Sequence, residues 1–185
     1  AGHVKHHHIF FYLMFATLSM LLVGGLLLLF WKYLPYAYWK DWLKISRGDY
    51  NNALDIGSMG LVLLCWVFGF GWVSRKFERQ ADIFGVRSVG RNRQECGREC
   101  LVHHPPPGQK PDRKALCPAA ADIFAGALHR IALLNGMALH SRSWLHGSIA
   151  SRMELVRELA RDRKKLRRFT RVIFLIKLVL LAGVV

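Results

Sequence analysis

Two uninterrupted apolar runs dominate the chain. Residues 9–31 (IFFYLMFATLSMLLVGGLLLLFW) contain no charge and no proline, which exceeds the roughly 20 residues that a helix needs to cross a bilayer. Residues 56–73 (IGSMGLVLLCWVFGFGWV) are also uncharged, near the short end of that range, with glycines of the kind common in membrane helices. A third run, 172–185, is apolar apart from Lys177. Its 14 residues are too short to cross alone, so it is expected to be the first part of a third span.

Polar segments complete the layout. Residues 32–55 form a connector with an aromatic belt (Trp31, Tyr33, Tyr36, Tyr38, Trp39), and the stretch Arg47 to Asn52 reads as a turn. After Val73 the helix is expected to continue through 74–89. Residues 90–118, rich in Gly, Pro, Cys and charge, read as an irregular loop. In 122–136, Phe124, Leu128, Ile131 and Leu134 recur at helical spacing and Gly136 supplies a left-handed stop. Ser151-Arg152-Met153-Glu154 has capping-box form, opening a helix with Met153, Val156, Leu159 and Leu166 that feeds into the third apolar run. The fold class expected is mainly α, a polytopic membrane protein with a helical polar domain over 74–168.

Charge orients this arrangement. The chain is 52% hydrophobic yet carries 27 Lys+Arg against 12 Asp+Glu, a net +15. Twenty-one of the cations lie between residues 74 and 171, which puts the polar domain on the cytoplasmic side of an inner or plasma membrane. The cationic stretch 157–171 beside an apolar run suits anionic lipid, at about 1 kcal/mol per cation. Nucleic acid is a poor partner, because that stretch lacks interleaved aromatics that stack on bases.

Two chemical clusters stand out. His3 lies six residues before the first run and Glu78 five after the second. If the helix is continuous, His3 rises about 9 Å above the span, and antiparallel spans bring it level with Glu78. A catalytic zinc takes three protein ligands and leaves one position for water. Asp82, one turn beyond Glu78, is placed to hydrogen-bond a ligating imidazole. The competing reading makes Glu78 and Asp82 an ordinary helix face paired with Arg75 or Arg79, and His6, His7 and His8 a solvated interfacial group. The second cluster is Cys96, Cys100, His103 and Cys117, with His104 adjacent: a candidate structural metal site, free thiols, or less readily a disulfide. Cys65, inside the second run, reads as packing.

Gly2-His3-Val4-Lys5-His6, Ser74 to Asp82 (SRKFERQAD), and Leu128 to Gly136 (LHRIALLNG) together resemble the HtpX-like and CAAX prenyl protease group of membrane zinc metallopeptidases, over most of the chain. The resemblance implies that Ala1-Gly2-His3 closes a His-Glu-x-Gly-His motif and that residues 1–8 are the remnant of its zinc-binding helix. It makes His3 and Glu78 ligands of a catalytic Zn, and Asp82 the acid of the E-x-x-x-D motif. Trp144 to Arg152 (WLHGSIASR) looks like the family's His-Pro-Ser segment followed by Arg, with Gly147 where proline is usual. His146 is then expected to hold the substrate carbonyl or its oxyanion, and Arg152 to support the site. The implied activity is cleavage of peptides or proteins, membrane proteins among them. The first zinc His and the general-base Glu would precede Ala1, so a chain opening at Ala1 is expected to be inactive. The alternative is a non-catalytic membrane protein whose basic domain recruits anionic lipid or a protein partner.

Overall fold

The computed structural model describes residues 7–33, 44, 46–91, 96 and 100–183, and the side chains of all of these but 30–33. These residues are mainly helical, with two isolated bridges and no named strand among them. The first apolar run forms α1 (His8–Tyr33). Its two hydroxyls are absorbed by the helix itself, Thr17 donating to the Leu13 carbonyl at 3.1 Å and Ser19 to that of Ala16 at 2.7 Å. Within an apolar surround such bonds spare the side chains a desolvation cost.

The second run is part of a much longer rod. α2 (Arg47–Leu64), a π-helical segment (Cys65–Phe70) and α3 (Gly71–Arg91) follow without a break over 45 residues. At about 1.5 Å per residue that is roughly 67 Å, twice the apolar thickness of a bilayer. The rod therefore carries the sequence after Val73 straight into the polar domain. Two helices are thus long and apolar enough to cross a membrane, and most of their large side chains, among them Leu13, Leu22, Leu28, Met59 and Phe68, lie on the outside.

The helix already includes Arg47 to Asn52, where a turn was expected. Ser46 caps it, its Oγ accepting from the Asp49 amide at 3.1 Å and donating to the Asp49 carboxylate at 2.7 Å. That reciprocal cap outweighs the turn chemistry of Gly48, Asn51 and Asn52. The connector is accordingly shorter than 32–55, since α1 runs to Tyr33.

α1 and the rod are antiparallel. Leu26 and Leu27 share a groove with Ala53 to Leu61, Phe15 meets Trp66 and Phe70, and Tyr12 meets Phe77. The third apolar run lies on α6 (Arg163–Ala182) and follows α1 in the parallel sense. Lys177 Nζ stands 4.8 Å from the Phe11 ring centre, and Gly183 reaches Leu18. Its buried Ile173 and Leu180 join Phe11, Met14, Val73 and Phe77 in one cluster.

The polar domain is α3, α4 (Pro118–Leu134) and α5 (Ile149–Arg161) around a second core of Ile83, Val86, Leu116, Ala120, Ala121, Ala125, Val156, Leu159 and Leu166. It departs from the sequence-based expectations in three places. Leu128 is buried, but Ile131 and Leu134 are exposed; the inner face of α4 is Ala120, Ala121, Ala125 and Ala132, all 0% exposed. Small side chains let α3 and α5 approach closely, so alanine rather than the larger residues marks the buried stripe. Ser148, not Ser151, caps α5, accepting from the Ser151 amide. α5 does not feed into α6: the extended backbone of Asp162 (φ −115°, ψ 100°) breaks the helix, and its carboxylate caps α6 through the Lys164 and Lys165 amides.

Gly85 sits where α3 crosses α4. A Cβ there would lie 2.4 Å from Phe124 Cε2. Overpacking costs about 1–3 kcal/mol, whereas replacing a helical glycine by alanine gains up to about 1. Gly85→Ala is therefore expected to lower stability by about 1 kcal/mol; a raised Tm would show that the Phe124 ring swings aside freely.

Candidate functional site

Where the rod enters the polar domain, side chains distant in sequence converge on two carboxylates of α3. Arg152, on α5, grips Asp82 with two hydrogen bonds, Nε to Oδ2 at 2.9 Å and Nη2 to Oδ1 at 2.6 Å. The Asp82 side chain is 3% exposed. The same guanidinium lies 3.7 Å from Glu78 Oε2, while His146 Nδ1 lies 3.2 Å from Glu78 Oε1. Hydrogen bonding to Asp82 raises the Arg152 pKa, against burial that lowers it, with the Asp82 and Glu78 charges adding to the rise.

Glu78, Asp82, His146 and Arg152 are thus brought together. Asp82 spends an acceptor bond from each oxygen on Arg152, where hydrogen bonding to an imidazole was the expectation. Arg75 is turned elsewhere, donating to the Trp144 carbonyl at 2.7 Å.

The loop carrying His146 is anchored by Trp144, the first residue of the Trp144 to Arg152 segment, for which the sequence suggested no role of its own. Trp144 Nε1 donates to the Val67 carbonyl at 2.8 Å, inside the π segment, whose altered ladder leaves carbonyls available. The indole fits because Gly71 has no side chain: a Cβ there would lie 2.9 Å from Nε1. The signal present in the sequence was Phe68-Gly69-Phe70-Gly71, two glycines on a helix that needs none for its hydrophobicity. Beyond Trp144, Ser143 and Gly147 exchange backbone hydrogen bonds at 3.3 and 2.9 Å. Gly147 has φ +74°, which proline, fixed near −65°, cannot adopt. The likeness to a His-Pro-Ser segment is therefore one of side chains and not of backbone.

His3 lies outside the described residues. The neighbouring start of α1 is visible, and the fully buried His8 stacks on Phe77 at 4.7 Å with Nε2 3.0 Å from Gln80 Oε1. The N-terminal end of α1 thus meets α3 at the level of Glu78. His8 is a packed residue, not the solvated one expected. α1 starts at His8, after His7 with a φ of +53°, so the helix of the first span does not run through His7.

For a catalytic zinc, no set of three donors is found around the partly buried Glu78 carboxylate among the described residues. A complete set exists elsewhere. Among the described residues, Cys96, Cys100, His103 and Cys117 could hold a metal ion, their donor atoms all lying within 4.8 Å of one another. The three thiols are buried and unbridged. Cys96 and Cys100 Sγ are 3.2 Å apart, Cys100 Sγ is 3.6 Å from His103 Nδ1, and the His103 amide donates to Cys100 Sγ at 3.3 Å. Burial pushes the Cys100 thiol up, but the hydrogen bonds from the His103 amide, Cys96 and the His104 and Val102 amides bring it down to about 6.

Comparison of the chain with family models, with curated proteins and with solved structures returns no match.

Proposed function

We propose that the complete protein is a membrane-bound zinc endopeptidase with its site at the cytoplasmic face of an inner or plasma membrane. The reading rests on one observation above all: Glu78 and Asp82, a turn apart at the domain end of a membrane-length helix, are met by His146 and by Arg152 from 70 residues away. It assigns the metal to His3, Glu78 and a further histidine N-terminal to Ala1, and the general base to a glutamate beside that histidine. When bound, such a zinc supplies a water whose pKa falls to about 7.

The chain's own residues have separable tasks. Glu78 offers a carboxylate oxygen to the ion. Asp82 and Arg152 fix the pitch of α3 against α5 and so hold that oxygen in place. His146, half-exposed, stands beside Glu78 where it can donate a hydrogen bond to a substrate carbonyl as negative charge develops on it. The exposed cations Lys164, Arg167, Arg168 and Arg171, directly before the apolar part of α6, suit the headgroups of anionic lipid. That charge also supports the non-catalytic alternative, in which lipid or a protein partner is the sole target.

Glu78→Gln in the full-length protein is expected to lose the catalytic zinc and to cut hydrolysis of an unfolded protein substrate by at least about 100-fold. His146→Ala should keep the zinc and lose about 100-fold in kcat. Metal analysis alongside a peptidase assay checks both. Unchanged zinc and unchanged proteolysis in Glu78→Gln would refute the proposal, and salt-sensitive liposome binding without chelator-sensitive proteolysis would favour the alternative.

A further inference from the structure

We propose that Cys96, Cys100, His103 and Cys117 hold one structural Zn2+ in a closed tetrahedral site that pins the loop between α3 and α4 to both helices. The site shares no residue with the Glu78 cluster and stands whether or not the chain belongs to a peptidase.

The number and kind of donors come first. Three sulfurs and one imidazole nitrogen fill a tetrahedron and leave no position for water, the hallmark of a structural site. Around zinc such donors stand about 3.5–3.8 Å apart; in this cluster all lie within 4.8 Å, with Cys100 Sγ 3.2 Å from Cys96 Sγ and 3.6 Å from His103 Nδ1. Small shifts complete the shell. Soft ligands of this kind exclude magnesium and calcium.

The imidazole is already set for coordination. His103 Nε2 lies 3.0 Å from the Gly90 carbonyl, which can only accept, so Nε2 carries a proton and Nδ1 is the nitrogen turned toward Cys100. An orienting bond from the far nitrogen is what metal-bound histidines generally have. That bond also joins the site to the end of α3.

Cys117 joins it to α4. As the residue before Pro118 it is the N-cap, with no side-chain cap hydrogen bond, so its sulfur is left for another partner. The tight turn in which Cys100 and His104 exchange backbone hydrogen bonds at 3.2 and 3.0 Å brings the two middle donors together. Zinc with three thiolates carries a net charge of −1, and Arg87, Arg91 and Arg113 line the same cleft as His103 and Cys117. The buried Nε of Arg87 has no hydrogen-bond partner, a further reason for an anionic centre beside it.

Cobalt separates this site from the catalytic one, because only this site contains sulfur. The full-length protein in detergent, stripped of metal under reducing conditions and titrated with Co2+, is expected to show a thiolate-to-metal charge-transfer band saturating at about one ion per chain. Glu78→Gln and Cys65→Ala should retain the band, and Cys96→Ser with Cys117→Ser should abolish it. Should those variants fail to fold, alkylation of the unmodified protein serves: bound Zn2+ should protect Cys96, Cys100 and Cys117, and a chelator should expose them. The inference is overturned if folded protein gives no sulfur band. It is equally overturned if Zn2+ leaves the alkylation rates unchanged, or if Cys96 and Cys100 are recovered as a disulfide from reducing conditions.

Discussion

Arg152→Ala should be the most damaging single change in the polar domain, lowering its stability by about 3–5 kcal/mol, the cost of stranding one charge of a buried pair. Asp82 would remain in the core with both hydrogen-bonding partners gone, since a single guanidinium supplies them. Against a total of about 5–15 kcal/mol for a domain, that is enough to populate unfolded molecules. Denaturant unfolding with the α3, α4 and α5 signal followed separately from the membrane-length helices would measure it. Two further variants identify the cause. Arg152→Lys keeps the charge but not the fork, and should fall between. Asp82→Leu combined with Arg152→Met removes both charges and should recover most of the stability, because a buried pair is often no better than apolar packing. It should not recover proteolysis, since Glu78 would lose the guanidinium 3.7 Å away. A loss below about 0.5 kcal/mol for Arg152→Ala would mean that solvent reaches Asp82 and that the pair is a surface one.

Trp144→Ala is expected to show the opposite balance, a modest stability loss with a large loss of activity. The indole is about half exposed, so its removal forfeits only part of its transfer energy. Leaving the Val67 carbonyl unpaired adds about 1–3 kcal/mol at most. Function should suffer more, because the loop that presents His146 to Glu78 is held to the rod by that bond and by Arg75 on the Trp144 carbonyl. Misplacement by about 1 Å can cost on the order of 100-fold in rate. Trp144→Phe retains a ring beside Gly71 but no donor, and separates the hydrogen bond from the packing. Steady-state kinetics should place the loss in kcat, with zinc content unchanged. Full activity in Trp144→Ala would show that His146 is positioned by other contacts, or plays no part.

The two membrane-length helices were legible because absence of charge over some 20 residues is a one-dimensional signal. Antiparallel packing of the two runs also brings the start of α1 beside α3, where His8 stacks on Phe77, next to Glu78; His3 lies outside the described residues. Lateral neighbours were not legible. Nothing within a turn of Asp82 announces Arg152, and the pairing exists only once α5 has docked. The resemblance proposed Arg152 and His146 as supports, and the structure shows what each touches. Misreadings share a cause, local chemistry with two uses. Gly48 and Asn51 suit a turn, but Ser46 and Asp49 make a helix start. Lys and Arg around Asp162 are good helix formers, but an Asp able to accept from two amides ends one helix by starting the next. Counting large residues hid the alanine face of α4. The Cys and His cluster was visible as composition; its spacing of three, two and thirteen intervening residues gave no standard pattern, and only the folded turn at Cys100 showed that the four donors converge.

Gly147 bears on how a long substrate would enter the proposed peptidase site. With a left-handed step in place of a proline ring, the approach of His146 to Glu78 is kept by a pair of backbone bonds, one indole and one guanidinium. Local openings of that size require far less free energy than unfolding a domain. Under the proposed peptidase reading, the segment from Ser143 to Gly147 would serve as a latch whose lifting gives an extended polypeptide room beside the carboxylates while α3, α4 and α5 stay assembled beneath it.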